Sequence, residues 1–164
     1  MRTILFDDKI EIETIRKLID DIESKDDNEI TIYFTTSGGQ SFVGDIIIDY
    51  FNTTKREITL IGLWMINSAG FLIFFKSTGL KERRFINAHS VLHLMNRDTN
   101  IVESKDKDQY EYFLNKQLEN DNKELIEFYR SVGVSEKYIN KINKFWDVYL
   151  DNNELNELLA KQEQ

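Results

Sequence analysis

Ser68 is the residue whose type and position most readily suggest chemistry. It follows an apolar run that we predict to be a strand, and it opens the segment "NSAGF", which we predict to begin a helix. A serine there usually caps the helix. It can also act as a nucleophile, because N–H groups at a helix start stabilise developing negative charge. The G-x-S-x-G pattern of α/β-hydrolases is absent, since Ile66 occupies the place of its first glycine. Both interpretations of Ser68 stay open at this point.

The adjacent glycines Gly38 and Gly39, in "TSGGQSF", offer what a serine nucleophile also needs, namely donors for an oxyanion. They follow the apolar run "ITIYF". Glycine is used where the backbone takes a positive φ or where another group must come close. Gly39 and Ser68 both follow strands at the end of a parallel sheet where ligands bind. The N–H groups of Gly39 and Ala69 can therefore hold a carbonyl oxygen together, and an ordinary tight turn is the alternative.

Only two histidines are available as a general base. We predict that His93 lies inside a strand, in "SVLHLM", and that His89 lies in a surface loop. A lone histidine in a strand is more often a structural residue than a catalyst, so His93 does not establish an acid–base site by itself. The chain has no cysteine, which excludes a cysteine nucleophile and a thiolate zinc site. Nothing in the sequence implies a metal or a cofactor.

These residues are positioned by an alternation of strands and helices that is typical of parallel crossover units in an α/β fold. The strands are predicted from short apolar runs, and the helices from apolar residues at i, i+3, i+4 and i+7. We predict strands at 3–6, 29–34, 57–63, 83–87 and 90–95, and helices at 9–24, 42–52, 68–77, 109–132 and 135–143. A polar helix that frays is predicted at the end of the chain. We find no internal repeat or linker, so we expect one domain over residues 1–164.

The net charge of −8, from 21 basic and 29 acidic residues, argues against general affinity for nucleic acid or an anionic membrane. The apolar stretch around Ser68 is long, but Asn67 and Ser68 interrupt it, so we do not expect a transmembrane helix. The first residues do not have the pattern of a signal peptide. Together with the lack of cysteine, this favours a cytoplasmic protein.

The order of a glycine pair, a serine, a histidine and a late aspartate resembles the proteolytic subunit of the Clp protease, within the ClpP/crotonase superfamily. "EITIYFTTSGG" is similar to the family's strand that ends in Ser-Pro-Gly-Gly, and "NSAGFLIFF" is similar to its nucleophile helix. "RRFINAHSVLHLM" resembles its Arg-Phe run and the hairpin that ends in His, and "NKFWDVYLDNNEL" resembles its Asp-Arg-Phe-Leu segment. No single motif is strong, but the order and spacing hold over most of the chain.

The resemblance implies a Ser-His-Asp serine endopeptidase with Ser68 as nucleophile, His93 as general base and Asp147 as orienting acid. It implies that the N–H groups of Gly39 and Ala69 form the oxyanion hole. The implied fold is α/β, with a mostly parallel sheet, flanking helices and a projecting handle helix in the region of about 96–132. Members of the family cleave unfolded or short polypeptides inside a homo-oligomeric ring chamber, and an AAA+ unfoldase is an implied partner.

Several positions depart from the family pattern. Thr36-Ser37 replaces Ser-Pro before the glycines, Trp64 replaces a glycine, and "MNRDTNI" replaces the glycine-rich strand after the histidine. The family's N-terminal axial segment and its terminal strand are not recognisable, which indicates a minimal or divergent member. A non-catalytic ClpP-like subunit and a crotonase-like acyl-CoA enzyme remain alternatives.

A separate feature of the sequence predicts oligomerisation. The long predicted helix carries an apolar stripe in its first half, and exposed stripes of this kind usually mark protein–protein contacts. The stripe consists of Tyr110, Phe113, Leu114 and Leu118. We expect a homo-oligomer joined partly through this helix. The alternative is that the helix packs on its own domain.

Overall fold

In the part of the chain that the structure describes, five strands form one sheet in which sequence neighbours are also spatial neighbours. Because each of the first three strands is followed by a helix that returns the chain, the first four strands pair in parallel, which confirms the predicted α/β fold. The strands lie in chain order, β1 (Arg2–Phe6), β2 (Glu29–Thr36), β3 (Glu57–Ile66), β4 (Glu82–Leu92) and β5 (Val148–Leu150). The carboxyl ends of β2 and β3 therefore bring the glycine pair and Ser68 to the same edge.

The helices follow the predicted positions closely. They are α1 (Ile12–Glu23), α2 (Ser41–Thr53), α3 (Ala69–Lys76), α4 (Lys107–Ser131), α5 (Glu136–Ile142) and α6 (Asn152–Gln162). None of these helices, in the described part of the chain, is long and apolar enough to cross a membrane.

The structure is a computed structural model that describes residues 1–95 and 107–162. It divides into two compact parts, one containing Met1–Leu92 with Tyr149–Gln164 and the other containing His93–Val148. The excursion predicted at 96–108 lies mostly outside the described residues, as does the side chain of Tyr110.

An aromatic core supports the sheet in the first part. Phe6 stacks on Phe34, Phe34 meets Phe74 edge-on, and Phe74 stacks on Phe85, with ring centroids 4.6, 5.9 and 4.6 Å apart. These rings come from β1, β2, α3 and β4 and are almost fully buried. Aromatic contacts of this kind fix the helix that begins after Ser68 against the three strands that surround it.

Four sequence predictions need correction in the region after α3 and at the end of the chain. The strands predicted at 83–87 and 90–95 are one strand, β4, which contains His89 and ends before His93. His89 is therefore not in a loop, and His93 is not inside a strand. The terminal helix is anchored rather than frayed, because Leu155, Leu158 and Leu159 are buried.

Side chains of α6 also complete the backbone hydrogen bonds of β4. The Asn156 amide accepts a hydrogen bond from the Phe85 N–H and donates one to the Phe85 carbonyl, both at 3.1 Å. The Asn152 side chain accepts a hydrogen bond from the Ala88 N–H at 3.1 Å. Polar residues of α6 thus stabilise the strand that leads to His93.

Candidate active site

Ser68 sits in a strained turn between β3 and α3. Its backbone has φ 52° and ψ −116°, a conformation that non-glycine residues rarely adopt. An ordinary helix cap has an extended backbone, and its side chain accepts a hydrogen bond from the first turn. Ser68 does neither, and its Oγ has no hydrogen-bond partner among the described residues. Capping therefore does not explain this serine, whereas a sharp strand-to-helix turn is how nucleophilic serines are exposed in other hydrolases.

Asn67, which directly precedes Ser68, holds the turn in place through its own hydrogen bonds. Its N–H donates to the Thr36 carbonyl at 3.1 Å, and its side-chain oxygen accepts a hydrogen bond from the Val91 N–H at 2.9 Å. The Ser68 N–H donates to the Val91 carbonyl at 3.2 Å. Hydrogen bonds to β2 and β4 therefore hold the strained backbone in place from both sides.

The glycine loop is held by a separate set of backbone hydrogen bonds. The Thr36 hydroxyl accepts a hydrogen bond from the Gly38 N–H at 3.1 Å. The Ile10 N–H donates to the Gly38 carbonyl, and the Gln40 N–H donates to the Ile10 carbonyl, both at 2.9 Å. Because Gly38 and Gln40 face Ile10, the N–H of Gly39 between them points to the opposite side.

Both glycines are required by close contacts. A Cβ at Gly38, where φ is 100°, would lie 2.8 Å from the Ser68 Cβ. A Cβ at Gly39, where φ is 154°, would collide with the Ile10 carbonyl oxygen. The loop therefore passes directly beside the Ser68 turn. Close contacts with neighbouring residues, as well as the turn itself, require glycine at both positions.

The two N–H groups that the sequence predicts as oxyanion donors are uncommitted. Ala69 is the first residue of α3, so its N–H has no partner within the helix. No residue in the described part of the chain accepts a hydrogen bond from the N–H of either Gly39 or Ala69. The Gly38 N–H, in contrast, is bound to Thr36. This arrangement leaves two donors available beside the serine.

His93 lies in the second compact part, immediately after the end of β4, and is half-buried. Its Nδ1 is 2.7 Å from the Leu94 carbonyl oxygen. A carbonyl can only accept, so Nδ1 carries the proton and Nε2 of the neutral ring has a lone pair. The ring is thus held in the tautomer that a general base acting through Nε2 requires.

Asp147 belongs to the same compact part as His93 but does not contact the imidazole. It is exposed, directly before β5, and within the described structure its carboxylate makes no hydrogen bond or ion pair. The nearby Asp151 has a structural role, because its carboxylate accepts hydrogen bonds from the N–H groups of Asn153 and Glu154 at the start of α6. Only Asp147 of these two acids is uncommitted.

Three residues that support the site have no signal in the sequence. Ile10 and Thr36 act on the glycine loop, and Asn67 acts on the Ser68 turn, each partly through backbone atoms that every residue type shares. The only hint is the position of Asn67 directly before the serine. Among residues 1–95 and 107–162, no group of three or more His, Asp or Glu side chains is placed to hold a metal ion.

Comparison with known proteins identifies the family to which the chain belongs. The family model described as Clp protease matches residues 1–149. A solved structure of a ClpP1 mutant from Listeria monocytogenes has a TM-score of 0.69 and 21% sequence identity, covering 96% of this chain and 86% of that one. No curated protein matches the chain. The structural likeness shows the fold alone. Because the family model spans nearly the whole chain, the protein with this serine turn and glycine loop belongs to the Clp protease family.

Proposed function

We propose that the protein is a serine endopeptidase with Ser68 as its nucleophile. The observation that carries the proposal is the Ser68 turn, which keeps a strained backbone and an unbonded Oγ next to two uncommitted N–H donors. Strain of this kind costs free energy and persists where the surrounding structure imposes it, often at functional sites. A purely structural serine gains nothing from this geometry.

The proposed mechanism transfers the acyl group of the substrate to the serine and then to water. His93 accepts the Ser68 proton at Nε2 while Oγ attacks the peptide carbonyl, and the N–H groups of Gly39 and Ala69 stabilise the oxyanion. His93 then protonates the leaving amine, and water hydrolyses the acyl-enzyme by the same steps in reverse order. The Ser68 turn is hydrogen-bonded to Val91, and His93 follows Val91 by two residues in the sequence.

The orienting acid and the assembly complete the proposal. Asp147 is the proposed acid because of the family resemblance and because no described residue engages its carboxylate. We propose that the site works inside a homo-oligomeric ring that admits unfolded or short polypeptides, with an AAA+ unfoldase as a partner. The exposed Tyr112 and Phe113 on α4 support an association of subunits.

Hydrolysis of a fluorogenic peptide by the assembled protein tests the proposal. Ser68→Ala should abolish hydrolysis without loss of thermal stability, because the Oγ has no described partner. Ser135→Ala is the matched control, since Ser135 also precedes a helix but has an ordinary extended backbone. Equal activity of the parent and Ser68→Ala proteins would refute the proposed nucleophile.

A non-catalytic ClpP-like subunit is the second candidate, and one observation favours it. Asp147 and His93 are not joined in the described structure, so the acid–base pair is incomplete in a single chain. If the assembled parent protein neither cleaves peptides nor reacts with a fluorophosphonate probe, this second function is the correct one.

A further inference from the structure

Side chains on one face of α4 are hydrogen-bonded to the segment that carries His93. The Asn122 side-chain oxygen accepts a hydrogen bond from the Met95 N–H at 2.7 Å, and its Nδ2 donates to the Met95 carbonyl at 3.2 Å. One amide side chain thus satisfies both backbone groups of a residue that lies outside any strand or helix. The pair resembles the hydrogen bonds between two strands of a β-sheet. It fixes the orientation of the backbone on both sides of the Met95 Cα atom.

A second contact from the same helix reaches His93 itself. The Tyr129 hydroxyl donates to the His93 carbonyl at 3.2 Å. Tyr129 is 2% exposed, and burial raises the pKa of its hydroxyl above the ordinary value, so it stays a donor. Asn122 and Tyr129 are seven residues apart, which places them on the same side of α4. The helix therefore holds the His93–Met95 segment at both of its ends.

The hydrogen bond from the Met95 N–H to Asn122 determines the direction of the Leu94 carbonyl, because that N–H and that carbonyl belong to the same planar trans peptide. The Leu94 carbonyl accepts the hydrogen bond from His93 Nδ1. We propose that Asn122 is a positioning residue for His93, acting through Met95 and Leu94, with Tyr129 in support. This inference rests on the proposed role of His93 as general base.

The contact between Asn122 and Met95 lies in the wall of a cavity of about 650 Å³ in the second compact part. Its walls include Leu94, Met95 and Asn122, together with Asn143 at the end of α5. Asn143 lies on the same cavity, and no described residue is hydrogen-bonded to its side chain. It therefore offers a matched control for a change at Asn122.

The first experiment compares Asn122→Leu with Asn143→Leu in the assembled protein. Both changes remove an amide without adding charge. We expect Asn122→Leu to lower kcat about tenfold, with a smaller effect on KM, because two hydrogen bonds that orient the base are lost. Asn143→Leu should leave both constants within about twofold of the parent, as expected of an exposed side chain without a partner. Tyr129→Phe, which keeps the packed ring, should lower kcat by about threefold and provides a second test if Asn122→Leu does not fold.

The second experiment measures the His93 imidazole directly by NMR on protein labelled with ¹⁵N-histidine. The chain has only His89 and His93, and a His89→Gln variant assigns the two rings. The parent should show His93 protonated at Nδ1, and Asn122→Leu should show a mixture of tautomers. An unchanged tautomer in both Asn122→Leu and Tyr129→Phe would overturn the inference, whether or not kcat falls. If Ser68 proves not to be a nucleophile, the proposed function fails, but this spectrum still decides whether Asn122 orients the ring.

Discussion

The Ser68 turn and the His93–Asp147 region differ in how completely one chain assembles them. Around Ser68, hydrogen bonds that join Asn67, Val91 and Thr36 hold the backbone of the turn, and the glycine loop packs directly beside it. Around His93, the Nδ1 proton is bound by the next carbonyl in the chain, and Asp147 is exposed with no partner among the described residues. The proposed nucleophile and its proposed N–H donors are thus held in place, whereas no described residue engages the proposed acid.

This difference indicates that the Ser68 turn and the proposed His93–Asp147 pair depend on subunit assembly to different degrees. Strand pairing and core packing determine the serine turn, and these are properties of the single chain. The His93–Asp147 pair depends on two short non-helical segments, which are the parts of a protein that most readily change conformation. We therefore expect the serine half to survive dissociation and the acid–base half to require the assembled state.

Among the changes that test this comparison, the largest loss of activity is expected at Asp147. Asp147→Asn should lower kcat by about 10⁴-fold, as loss of the acid does in other triads, with thermal stability unchanged because no described residue contacts the carboxylate. Peptide hydrolysis and a melting curve measure the two quantities. Asp151→Asn is the control, because asparagine also caps helices well and activity should persist. Full activity of Asp147→Asn would mean that the Leu94 carbonyl alone orients the base.

A smaller loss is expected at the glycine loop. Gly39→Ala should lower kcat by roughly 10²–10³-fold, because the new Cβ collides with the Ile10 carbonyl and displaces an oxyanion donor. Gly44→Ala is the control, since Gly44 lies in α2 and its added Cβ would make only ordinary contacts, the nearest at 3.7 Å. That variant should keep activity and gain about 0.5–1 kcal/mol of stability. Activity in Gly39→Ala equal to the parent would remove Gly39 from the oxyanion hole.

Asn67 tests how firmly the serine turn is anchored. Asn67→Leu should reduce the free energy of unfolding by about 1–3 kcal/mol, because the Val91 N–H loses its acceptor. Asn67→Asp retains an acceptor oxygen and should lose less. Urea denaturation measures both changes. Equal stability of the parent and Asn67→Leu proteins would show that the turn does not depend on this hydrogen bond.

The smallest effect concerns the strained Trp64, which precedes the serine turn at an irregularity in the pairing of β3 with β4. Trp64 is 69% exposed and has φ 55°, a conformation that costs a non-glycine residue about 1–2 kcal/mol. Trp64→Gly should therefore leave stability unchanged or raise it by up to about 1 kcal/mol. Trp146 is 66% exposed without a positive φ, so Trp146→Gly should give no gain. A clear loss for Trp64→Gly would mean that its ring stabilises the fold.

Sequence patterns predicted the parallel sheet and the first helices because apolar periodicity and turn glycines act locally. They split β4 in two because Asn87, with φ 50°, interrupts the regular strand where the pattern also weakens. They missed the anchoring of α6 because three leucines in a polar helix give a weak signal, although their i, i+3 and i+4 spacing was available.

For the site, the sequence supplied the residue types but not the arrangement. The order and spacing of residues predict Ser68, Gly39 and His93 as members of the site. The strained φ of Ser68 and the hydrogen bonds through Ile10 and Asn122 depend on backbone atoms brought together by the fold. The contacts at Ile10 use backbone atoms that every residue type shares, and the Asn122 amide bonds to a residue far away in the sequence, so no local sequence pattern encodes either.

The most direct test of the central claim is covalent labelling of the assembled protein with diisopropyl fluorophosphate, followed by mass spectrometry of its peptides. A nucleophilic Ser68 should carry a single adduct, and His93→Ala should slow its formation strongly because the proton acceptor is lost. Ser135, at the start of α5, should remain unmodified. An adduct on Ser68 that forms no faster than on Ser135, or no adduct at all, would contradict the assignment of Ser68 as the nucleophile of a serine peptidase.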